Sequence, residues 1–369
     1  MDKMVDSGFY NGKRVFISGH TGFKGSWLCR VLIGMGAEVT GYALSPQTSP
    51  DLFSICGVEG KINSVYGDIR DRGKLFAAFD RASPEIVIHM AAQPIVRESF
   101  KDPVYTYDVN VMGTVNMLEC MRLNGNFGSF VNVTTDKVYH NNEWARGYRE
   151  IDTLDGFDPY SNSKSCSELV TSCYKNSFFS DNKTAISTAR AGNVIGGGDF
   201  ASDRIIPDCV RAAQKGEPVV VRNPHSVRPY QHVLEPIFAY LMIAQRQYDD
   251  KNFAGCYNVG PDDCDCVSTG ALADIFCNAW SNGQTWSNGQ TWSTGSAGGV
   301  CNMDRTGEPH EAGLLKLDCS KIKSVFGWEP RWNVRDAVEK TVDWTKVFMA
   351  NDDVCPVMDR QIEEYMDAQ

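Results

Sequence analysis

The first half of the chain alternates short apolar runs with longer segments in which apolar residues recur at helical spacing. The run at 14–18 is apolar and ends at a glycine, as expected of a buried parallel strand. Trp27, Leu28 and Val31 then fall on one side of a helix that stops near Gly36. Strands that alternate with helices predict βαβ units around a parallel sheet, a doubly wound α/β domain. Further strands are predicted at 38–44, 61–66, 85–90, 129–134 and 184–189.

Two longer helices are predicted, each beginning at a proline that suits a first helical turn. One runs from Pro103 to about Leu123 and the other from Pro159 to about Phe178. After residue 190 the sequence is rich in glycine and proline, which indicates a smaller mixed α/β lobe. The 369 residues suffice for about two domains. We expect a Rossmann-type dinucleotide-binding domain over 1–190 with return segments around 228–260, a substrate-binding lobe over 191–350 and a C-terminal tail over 351–369.

Composition and charge narrow the functional classes. Acidic residues outnumber basic ones by 46 to 36, a net charge of −10, which speaks against binding to nucleic acid or to a membrane surface. No apolar run is long enough for a membrane span, and the first ten residues lack the apolar segment of a secretory signal. The 13 cysteines are spread along a long chain and do not cluster with histidines at ligand spacing. We therefore expect reduced thiols, a cytoplasmic location and no metal site.

One hexapeptide, Ser281-Asn282-Gly283-Gln284-Thr285-Trp286, recurs unchanged at 287–292. Two copies cannot form a solenoid, which needs about three stacked units. The repeat therefore predicts a lengthened surface loop. A binding platform formed by Trp286 and Trp292 is the alternative interpretation.

The glycine-rich segment between the first strand and the first helix carries a clear chemical signal. Gly19 permits the tight turn, Gly22 lets the backbone approach a pyrophosphate, and Gly25 allows close packing of the helix. The helix N-terminus adds N–H groups and a positive dipole. The second strand ends without a carboxylate or an arginine, so NAD and NADP are not distinguished there. The candidate cofactor-binding residues of this segment are Gly19, His20, Thr21, Gly22, Phe23, Lys24 and Gly25.

Two further motifs place acid–base groups where an open α/β sheet binds ligands. Tyr160 and Lys164 are spaced to share one face of a helix, where a nearby ammonium lowers the pKa of a phenol. Thr135, Asp136 and Lys137 follow the fifth strand and supply a hydroxyl, a carboxyl and an amine in succession. The alternative interpretations are a solvated helix face and a strand end capped by water.

These motifs together resemble the extended short-chain dehydrogenase/reductases and, among them, the nucleotide-sugar 4,6-dehydratases. The resemblance covers roughly residues 12 to 345. Within this family the chain is similar to the CDP-sugar branch, because the dTDP-glucose relatives have a glutamate where this chain has Lys137. The matching segments are 19–25, His89–Gln93, Asn110, Thr135–Lys137, Tyr160 with Lys164, Arg190–Gly196 and Arg228–Val233.

What the resemblance implies about ligands can be stated residue by residue. The cofactor is NAD, with NADP not excluded, and the substrate is the nucleotide sugar CDP-D-glucose. The two long helices resemble those that pair across a two-fold axis, so a homodimer or a homotetramer is expected. Implied cofactor contacts are Asp68, Ile69, Ala91, Ala92, Gln93, Asn110, Tyr160 and Lys164, and implied substrate contacts are Asn193, Arg204 and Arg228. From position alone, Asp68 and Ile69 fit a surface turn equally well.

The resemblance also implies a reaction without net redox change. Oxidation of the sugar C4 makes the C5 hydrogen acidic, water leaves from C5 and C6, and hydride returns to C6. Tyr160 takes the O4 proton, Thr135 orients O4, and Asp136 donates a proton to the leaving hydroxyl. Lys137 removes the C5 proton in its neutral form, or else stays charged and stabilises the enolate. A 4-epimerase and a non-catalytic dinucleotide sensor are the competing functions.

Overall fold

The structure is a computed structural model, and it describes residues 5–125, 128–179, 184–281 and 312–368. Seven strands form one sheet in which every neighbouring pair is parallel. Two short two-stranded pairs lie outside it. The strands are β1 (Arg14–Ser18), β2 (Glu38–Ala43), β3 (Asn63–Tyr66), β4 (Ile86–His89), β5 (Ser129–Val133), β6 (Ala185–Ala191), β7 (Val194–Ile195), β8 (Val227–Arg228), β9 (Gln231–His232), β10 (Cys256–Val259) and β11 (Val267–Ser268).

The strand order of the large sheet is β10-β6-β5-β4-β1-β2-β3, which confirms the predicted doubly wound Rossmann-type fold. From β1 the chain adds β2 and β3 on one side, then crosses over and adds β4, β5 and β6 on the other. The order therefore reverses between β1 and β4, where the register pairs Ser18 with His89. Open α/β sheets bind ligands at such a reversal, beyond the carboxyl ends of the strands.

Helices cover both faces of the sheet, because apolar side chains alternate between the faces along each buried strand. Phe16 packs on Phe79 on one face, whereas Val15 and Ile17 lie in the cluster that contains Trp27 on the other. The helices are α1 (Ser7–Tyr10), α2 (Phe23–Gly34), α3 (Leu52–Ile55), α4 (Arg72–Ala82), α5 (Val96–Lys101), α6 (Pro103–Tyr107), α7 (Gly113–Asn124), α8 (Pro159–Phe178), α9 (Ile205–Lys215), α10 (Leu234–Asp249), α11 (Thr269–Ser281), α12 (Ser320–Phe326), α13 (Val334–Met349) and α14 (Cys355–Asp367).

A separate apolar cluster forms the core of the second lobe. It joins Ile206 of α9, Leu272 and Phe276 of α11, and Val338 of α13. Between these elements the chain returns to the large sheet, since α10 contacts β5 and β10 pairs with β6. The second lobe is therefore threaded through the first, and both contribute walls to one cavity.

Two segments differ from the expected outline. The helix expected over 103–123 is divided into α6 and α7 by a π-helical turn at Asp108–Met112. Asn110 in this turn bonds to both backbone groups of Gln93 and to Ser163, and a π turn is a common way to accommodate such an anchor. The segment expected as a tail contains α14, which Arg30 holds through Asp359 at 2.6 Å. All of the duplicated hexapeptide after Ser281 lies outside the described residues.

Candidate active site

A cavity of about 990 Å³ opens beyond the carboxyl ends of the central strands and reaches into the second lobe. Its walls include the glycine-rich turn after β1, the segment after β4, the segment after β5 and the start of α8. The cavity is also lined by residues within 191–208 and by Arg222, Arg228 and Tyr230. Ligand cavities usually measure about 300–1,000 Å³, so this one lies at the upper end of that range.

The glycine-rich turn has the geometry that a dinucleotide pyrophosphate requires. Gly19 has a φ of +83°, and a Cβ there would lie 2.8 Å from the Ala91 nitrogen. A Cβ at Gly25 would lie 2.7 Å from the His20 Cα, so only glycine lets α2 approach this closely. At Gly22, which lines the cavity, no side chain caps the helix, and the first N–H groups of α2 are available to an anion. The residues present therefore fit the predicted cofactor.

Ser18 is a supporting residue of this turn that the sequence analysis missed. Its hydroxyl oxygen accepts hydrogen bonds from the backbone N–H groups of Met90 and Ala91, both at 3.1 Å. It also lies 2.6 Å from His89 Nδ1. These bonds join the ends of β1 and β4, so Ala91 and Ala92 are held in the cavity wall. In the sequence, the serine directly before the first glycine could have indicated this supporting role.

Three residues expected at the cofactor do not line the cavity. The buried ring of His20 is turned toward β2 and β3, with Nε2 at 2.7 Å from the Ser64 hydroxyl, and burial lowers its pKa to about 4. Gln93 and Asn110 are buried too, and the Asn110 side chain accepts the backbone N–H of Gln93 and donates to its carbonyl. These three side chains therefore shape the backbone around the cavity in this structure.

Asp68 and Ile69 both line the cavity at the end beyond β2 and β3. The Asp68 carboxylate pairs with Arg70 at 2.7 Å and accepts the Arg70 N–H at 2.9 Å. The Arg70 contact holds the pKa of Asp68 below its usual value. Ile69 is buried against Gly113. Asp68 and Ile69 therefore lie in a polar turn, as one interpretation predicted. The same turn is part of the cavity wall, where the other interpretation, a cofactor contact, requires it to be.

Lys24 is the charged member of the glycine-rich segment. It lines the cavity from the first turn of α2, and its ammonium lies 5.8 Å from the centre of the Tyr240 ring. Burial lowers the pKa of Lys24 to about 7, and repulsion from Arg204 and Lys164 acts in the same direction. The charges that act on Lys24 include those of Lys164 and Asp136, so this side chain extends toward the candidate catalytic residues.

Thr135, Asp136 and Lys137 form a continuous set of hydrogen bonds at the end of β5. The Thr135 hydroxyl donates to Asp136 Oδ1 at 2.9 Å, and Lys137 Nζ donates to the same oxygen at 3.0 Å. Lys137 Nζ also donates to Asn193 Oδ1 at 3.0 Å. Asp136 is fully buried, and its Oδ2 has no hydrogen-bond partner in the described part of the chain. This oxygen is therefore free to interact with a ligand.

Tyr160 and Lys164 lie in the first two turns of α8, both buried and both in the cavity wall. Burial raises the pKa of Tyr160 to about 12, and a hydrogen bond with Thr135 opposes the rise. The pKa of Tyr160 is thus raised rather than lowered as expected, because desolvation outweighs both this hydrogen bond and the positive charge of Arg204. Burial lowers the pKa of Lys164 to about 8, and its Nζ donates to the Val133 carbonyl at 3.2 Å.

A buried ion pair beneath these residues was also missed from the sequence. Glu168 lies one helical turn after Lys164 and pairs with Arg190 at 2.9 Å, with both side chains almost fully buried. Its carboxylate also accepts hydrogen bonds from Thr134 at 2.5 Å and Thr188 at 2.7 Å. This network joins α8 to β5 and β6. In the sequence, the spacing of Tyr160, Lys164 and Glu168 by four residues could have indicated that Glu168 lies on the same face of the helix.

The three residues expected at the substrate all line the cavity. Asn193 is bonded to Lys137, so it lies beside the catalytic candidates. Arg204 pairs with Asp199 at 2.9 Å. Arg228 is buried, and its guanidinium donates to the carbonyls of Val227 and Ala312, at 2.9 and 2.5 Å. The structure brings these cations into the same cavity as Tyr160, and Arg204 is near enough for its charge to lower the pKa of Tyr160.

Within the described ranges, no group of three or more His, Cys, Asp or Glu residues is placed to hold a metal ion. None of the helices in those ranges is both long and apolar enough to cross a membrane.

The glycine-rich turn, the Tyr160–Lys164 pair and the segment after β5, gathered at the reversal of the sheet, define an extended short-chain dehydrogenase/reductase. Residues 16–341 match the family model of GDP-mannose 4,6 dehydratase. The chain therefore belongs to this family of nucleotide-sugar dehydratases, as the sequence motifs predicted.

Individual relatives agree with this assignment. The chain is 45% identical over 371 residues to CDP-glucose 4,6-dehydratase of Salmonella typhimurium, which covers 99% of each chain. It is 27% identical over 349 residues to a probable dTDP-glucose 4,6-dehydratase of Sinorhizobium fredii, covering 90% of this chain and 92% of the other. A dTDP-glucose 4,6-dehydratase from Bacillus anthracis, solved in complex with NAD, superimposes with a TM-score of 0.71 at 18% identity, covering 93% of this chain and 99% of that one. At that identity the likeness establishes the fold.

Proposed function

We propose that this protein is an NAD-dependent CDP-D-glucose 4,6-dehydratase, a hydro-lyase that forms CDP-4-dehydro-6-deoxy-D-glucose and water. The observation that carries the proposal is the Thr135-Asp136-Lys137 set, hydrogen-bonded within one cavity that also contains Tyr160 and Lys164. The full-length similarity to a CDP-glucose 4,6-dehydratase supports the choice of nucleotide. The product is a precursor of deoxysugars, such as those of lipopolysaccharide O-antigens.

The cofactor would be held by the N–H groups at the start of α2, by the wall at Ala91 and Ala92, and by Lys164. When bound, NAD supplies the acceptor for the C4 hydride and the source of the hydride that returns to C6. The first N–H groups of α2 and the helix dipole favour its pyrophosphate. Asp68 and Ile69 line the far end of the cavity, where an adenosine moiety would lie. The end of β2 has no charged residue that would select NAD over NADP.

The chain's own groups account for the proton movements of the reaction. Tyr160 accepts the proton of the sugar O4 while Thr135 orients this oxygen. Asp136 donates a proton to the departing C6 hydroxyl. Lys137 in its neutral form removes the C5 proton, and its bonds to Asp136 and Asn193 hold the amine in place. Elimination of water requires an acid for the C6 hydroxyl and a base for the C5 proton, both next to Tyr160, whereas 4-epimerisation requires neither of these two groups.

The substrate would lie with its sugar at Tyr160 and its diphosphate toward Arg204 and Arg228. A guanidinium binds phosphate through two parallel hydrogen bonds, which suits Arg228 in the cavity wall. Such an orientation places the nucleotide in the second lobe and the sugar near the cofactor.

The function is tested by incubating the enzyme with CDP-, dTDP- and UDP-glucose and GDP-mannose, each with NAD, with NADP or with neither. We expect a 4-keto-6-deoxy product from CDP-glucose with NAD. Turnover that leaves reduced cofactor in proportion to the converted sugar would contradict a dehydratase, because the hydride must return. Formation of CDP-galactose would identify a 4-epimerase instead.

The role of Lys137 is tested in heavy water. Product formed by the wild-type enzyme should carry deuterium at C5, because the base exchanges its protons with solvent before one returns. Lys137→Ala should oxidise C4 but lose the exchange at C5. Normal exchange in this variant would show that another group removes the proton.

We further propose a symmetric dimer, alone or within a tetramer, formed by the face that α6–α8 present. Several large apolar side chains on these helices are exposed, including Val104 (72%), Leu123 (51%), Leu169 (55%) and Phe178 (51%). Val104→Glu together with Leu169→Glu should convert the protein to monomers in light scattering. The cytoplasm is the proposed location, and every cysteine in the described ranges is a free thiol.

A further inference from the structure

Lys137 Nζ lies between two hydrogen-bond acceptors. It donates to Asp136 Oδ1 at 3.0 Å and to Asn193 Oδ1 at 3.0 Å. Both the lysine amine and the amide Nδ2 are donors, so the oxygen of the Asn193 amide is the atom that faces Nζ. All three side chains belong to the wall of the cavity. The amine is therefore held from two sides, by one residue after β5 and by one from the second lobe.

The geometry of a neutral amine gives this arrangement a consequence. Nζ has four tetrahedral positions, and the Cε atom of the side chain occupies one of them. A lysine ammonium fills the other three with N–H groups, whereas the neutral amine has two N–H groups and a lone pair. When the two N–H groups point at Asp136 and Asn193, the lone pair is left for a ligand in the cavity. Removal of a proton from a bound sugar requires a lone pair in that direction.

We propose that Asn193 is a positioning residue for Lys137, whose amine it fixes through the side-chain oxygen so that the lone pair faces the sugar C5. This inference rests on the proposed dehydratase function, with Lys137 as the base. Loss of Asn193 should then impair the steps at C5 and leave the oxidation at C4 intact.

The step that Asn193 supports balances in protons and electrons. The C5–H bond breaks, and its proton becomes the third N–H of Lys137. The electron pair of that bond forms the C5–C6 double bond while the C6 hydroxyl takes the Asp136 proton and leaves as water. Hydride then adds to C6, and Lys137 returns its proton to C5. Asp136 regains a proton from solvent, and Tyr160 releases the O4 proton to solvent.

The lysine side chain needs a second anchor to act in a fixed direction. It is a flexible four-carbon stem, and the Lys137 side chain is 28% exposed. Asp136 is fully buried, and the Thr135 hydroxyl donates to it at 2.9 Å. With Asp136 alone, the amine would be free to rotate about one hydrogen bond. The Asn193 oxygen supplies the second bond, which fixes the lone pair.

The backbone of Asn193 is itself held in place. Asn193 lies between β6 and β7, and its carbonyl accepts the backbone N–H of Gln231 at 3.0 Å. The Gln231 side chain donates to the Val259 carbonyl at 3.0 Å. Gly192 packs so closely on Pro229 that a Cβ would lie 2.6 Å from the proline Cγ. These contacts give the amide a fixed base from which to hold the amine.

The type of acceptor also fits a base. A carboxylate in place of Asn193 would add a second negative charge beside Asp136 and favour the ammonium, which cannot accept a proton. A neutral amide oxygen gives the amine a direction without that charge. Asp136 Oδ1 accepts from Thr135 and Lys137, and Oδ2 has no partner among the described residues. The acid and the base thus each keep one position for the sugar.

A substrate contact is the competing role, as the sequence predicts for Asn193. The amide Nδ2 is able to donate to a ligand from the other end of the same group. The two roles differ in the quantity that they affect. A contact that only binds substrate acts on KM, whereas positioning of Lys137 acts on the C5 steps even when the enzyme is saturated.

The experiment compares Asn193→Leu, which has nearly the same size but no acceptor, with Asn193→Asp, which keeps an oxygen at this position. Each variant is mixed with saturating CDP-glucose and NAD in heavy water. Reduced cofactor, deuterium at C5 and final product are followed in one turnover. We expect Asn193→Leu to oxidise C4 at nearly the wild-type rate. Its exchange at C5 and its loss of water should fall by about 10²-fold, so reduced cofactor accumulates.

The pH dependence of Asn193→Asp adds a measurement that a merely structural role would not move. The new carboxylate holds the amine but favours its ammonium form, so the ratio of elimination to oxidation should be low near neutral pH and recover as the pH rises. Asn193→Leu should not recover. Asp136 and Lys24, whose charges act on Lys137, are the same in both variants. Asn63→Leu is the matched control, since Asn63 lies on the edge strand β3 outside the cavity wall, and it should behave as the wild type.

Three results would overturn the role of Asn193. The first is equal slowing of C4 oxidation and the C5 steps in Asn193→Leu, and the second is a rise in KM with normal exchange at C5. The third is a loss in Asn193→Asp that does not recover at any pH, which tests the inference even where Asn193→Leu does not fold. A wild-type enzyme that forms no 4-keto-6-deoxy product would refute the dehydratase itself, whereas product from the wild type with normal exchange in Asn193→Leu would refute only the positioning role.

Discussion

The two walls of the cavity hold their polar side chains in different ways. On one wall, Thr135 and Asp136 are hydrogen-bonded to each other, and Glu168 fixes the helix that carries Tyr160. In the part of the wall that the second lobe provides, Arg228 donates to two backbone carbonyls. We call the first set, Thr135, Asp136, Lys137, Tyr160 and Lys164, the reaction wall.

The second set, Arg204 and Arg228, is called the lobe wall. Its cations come from loops and two-residue strands. The residues of the reaction wall directly follow the carboxyl end of β5 or lie in the first two turns of α8. Rigid elements place catalytic groups more accurately than loops do. The comparison indicates that chemistry depends on the reaction wall, and that the lobe wall contributes mainly to substrate affinity.

The largest effect is expected from Tyr160→Phe on the reaction wall. Removal of the phenol should lower kcat for CDP-glucose by about 10²–10⁴-fold, because the O4 proton loses its acceptor. Tyr107→Phe is the matched control, since the Tyr107 hydroxyl bonds to Asn162 of the same helix outside the cavity wall. Similar losses in both variants would show that the hydroxyls act through helix packing.

The support beneath the reaction wall is tested by Arg190→Met. This change leaves the Glu168 carboxylate buried without its cation, so the free energy of unfolding should fall by about 3–5 kcal/mol in urea titrations. Lys101→Met removes the exposed Glu98 pair and should change it by less than about 1 kcal/mol. A loss below about 1 kcal/mol for Arg190→Met would show that the buried network does not hold α8 in place.

For the lobe wall, Arg228→Lys should raise KM for CDP-glucose about tenfold and change kcat little, because an ammonium cannot form the two parallel bonds of a guanidinium. Arg122→Lys provides the control, since Arg122 pairs with Glu119 and neither residue lines the cavity. A fall in kcat without a change in KM would place Arg228 with the chemical steps and remove the distinction between the walls.

The smallest effect concerns pH. Burial lowers the pKa of Lys164 to about 8, so kcat/KM for CDP-glucose should fall as the pH rises through about 8 and Lys164 loses its charge. Glu168 opposes this lowering, and Glu168→Gln should therefore move the midpoint to lower pH, whereas Glu168→Asp should leave it nearly unchanged. An unmoved midpoint in folded Glu168→Gln would assign the decline to another group.

The same shift has a defined effect on stability. Because the pKa of Lys164 is lower in the folded protein than the ordinary 10.5, the unfolded chain binds this proton more tightly. The contribution of Lys164 to the free energy of unfolding should therefore rise with pH between about 8 and 10.5.

Much of the fold could be predicted because local patterns and the sheet agree. The helix expected at 159–178 is α8 with the same bounds, since Asp158 caps it and a proline begins it. The π turn could not be predicted, because the bonds of Asn110 to Gln93 and Ser163 join residues that are distant in sequence. The apolar spacing is nearly the same with and without such a turn.

The candidate site shows the same division between what the local sequence predicts and what contacts between distant segments decide. The candidates that lie directly after a strand, such as Thr135, reach the cavity wall because strand ends meet at one edge of a parallel sheet. His20 belongs to the same glycine-rich segment but points away from the cavity, toward Ser64. A motif locates the backbone, whereas the direction of each side chain depends on the neighbouring strands.

The sequence by itself determined the parallel sheet, the position of the glycine-rich turn, the set of chemical groups and the family. These follow from periodicity and from residue types at short spacing, which are local properties. Only the tertiary structure decided that Glu168 meets Arg190 and that Lys137 meets Asn193. It also decided that burial raises the pKa of Tyr160. Such contacts and the desolvation that accompanies them arise when distant segments pack together, and no short stretch of the chain encodes them.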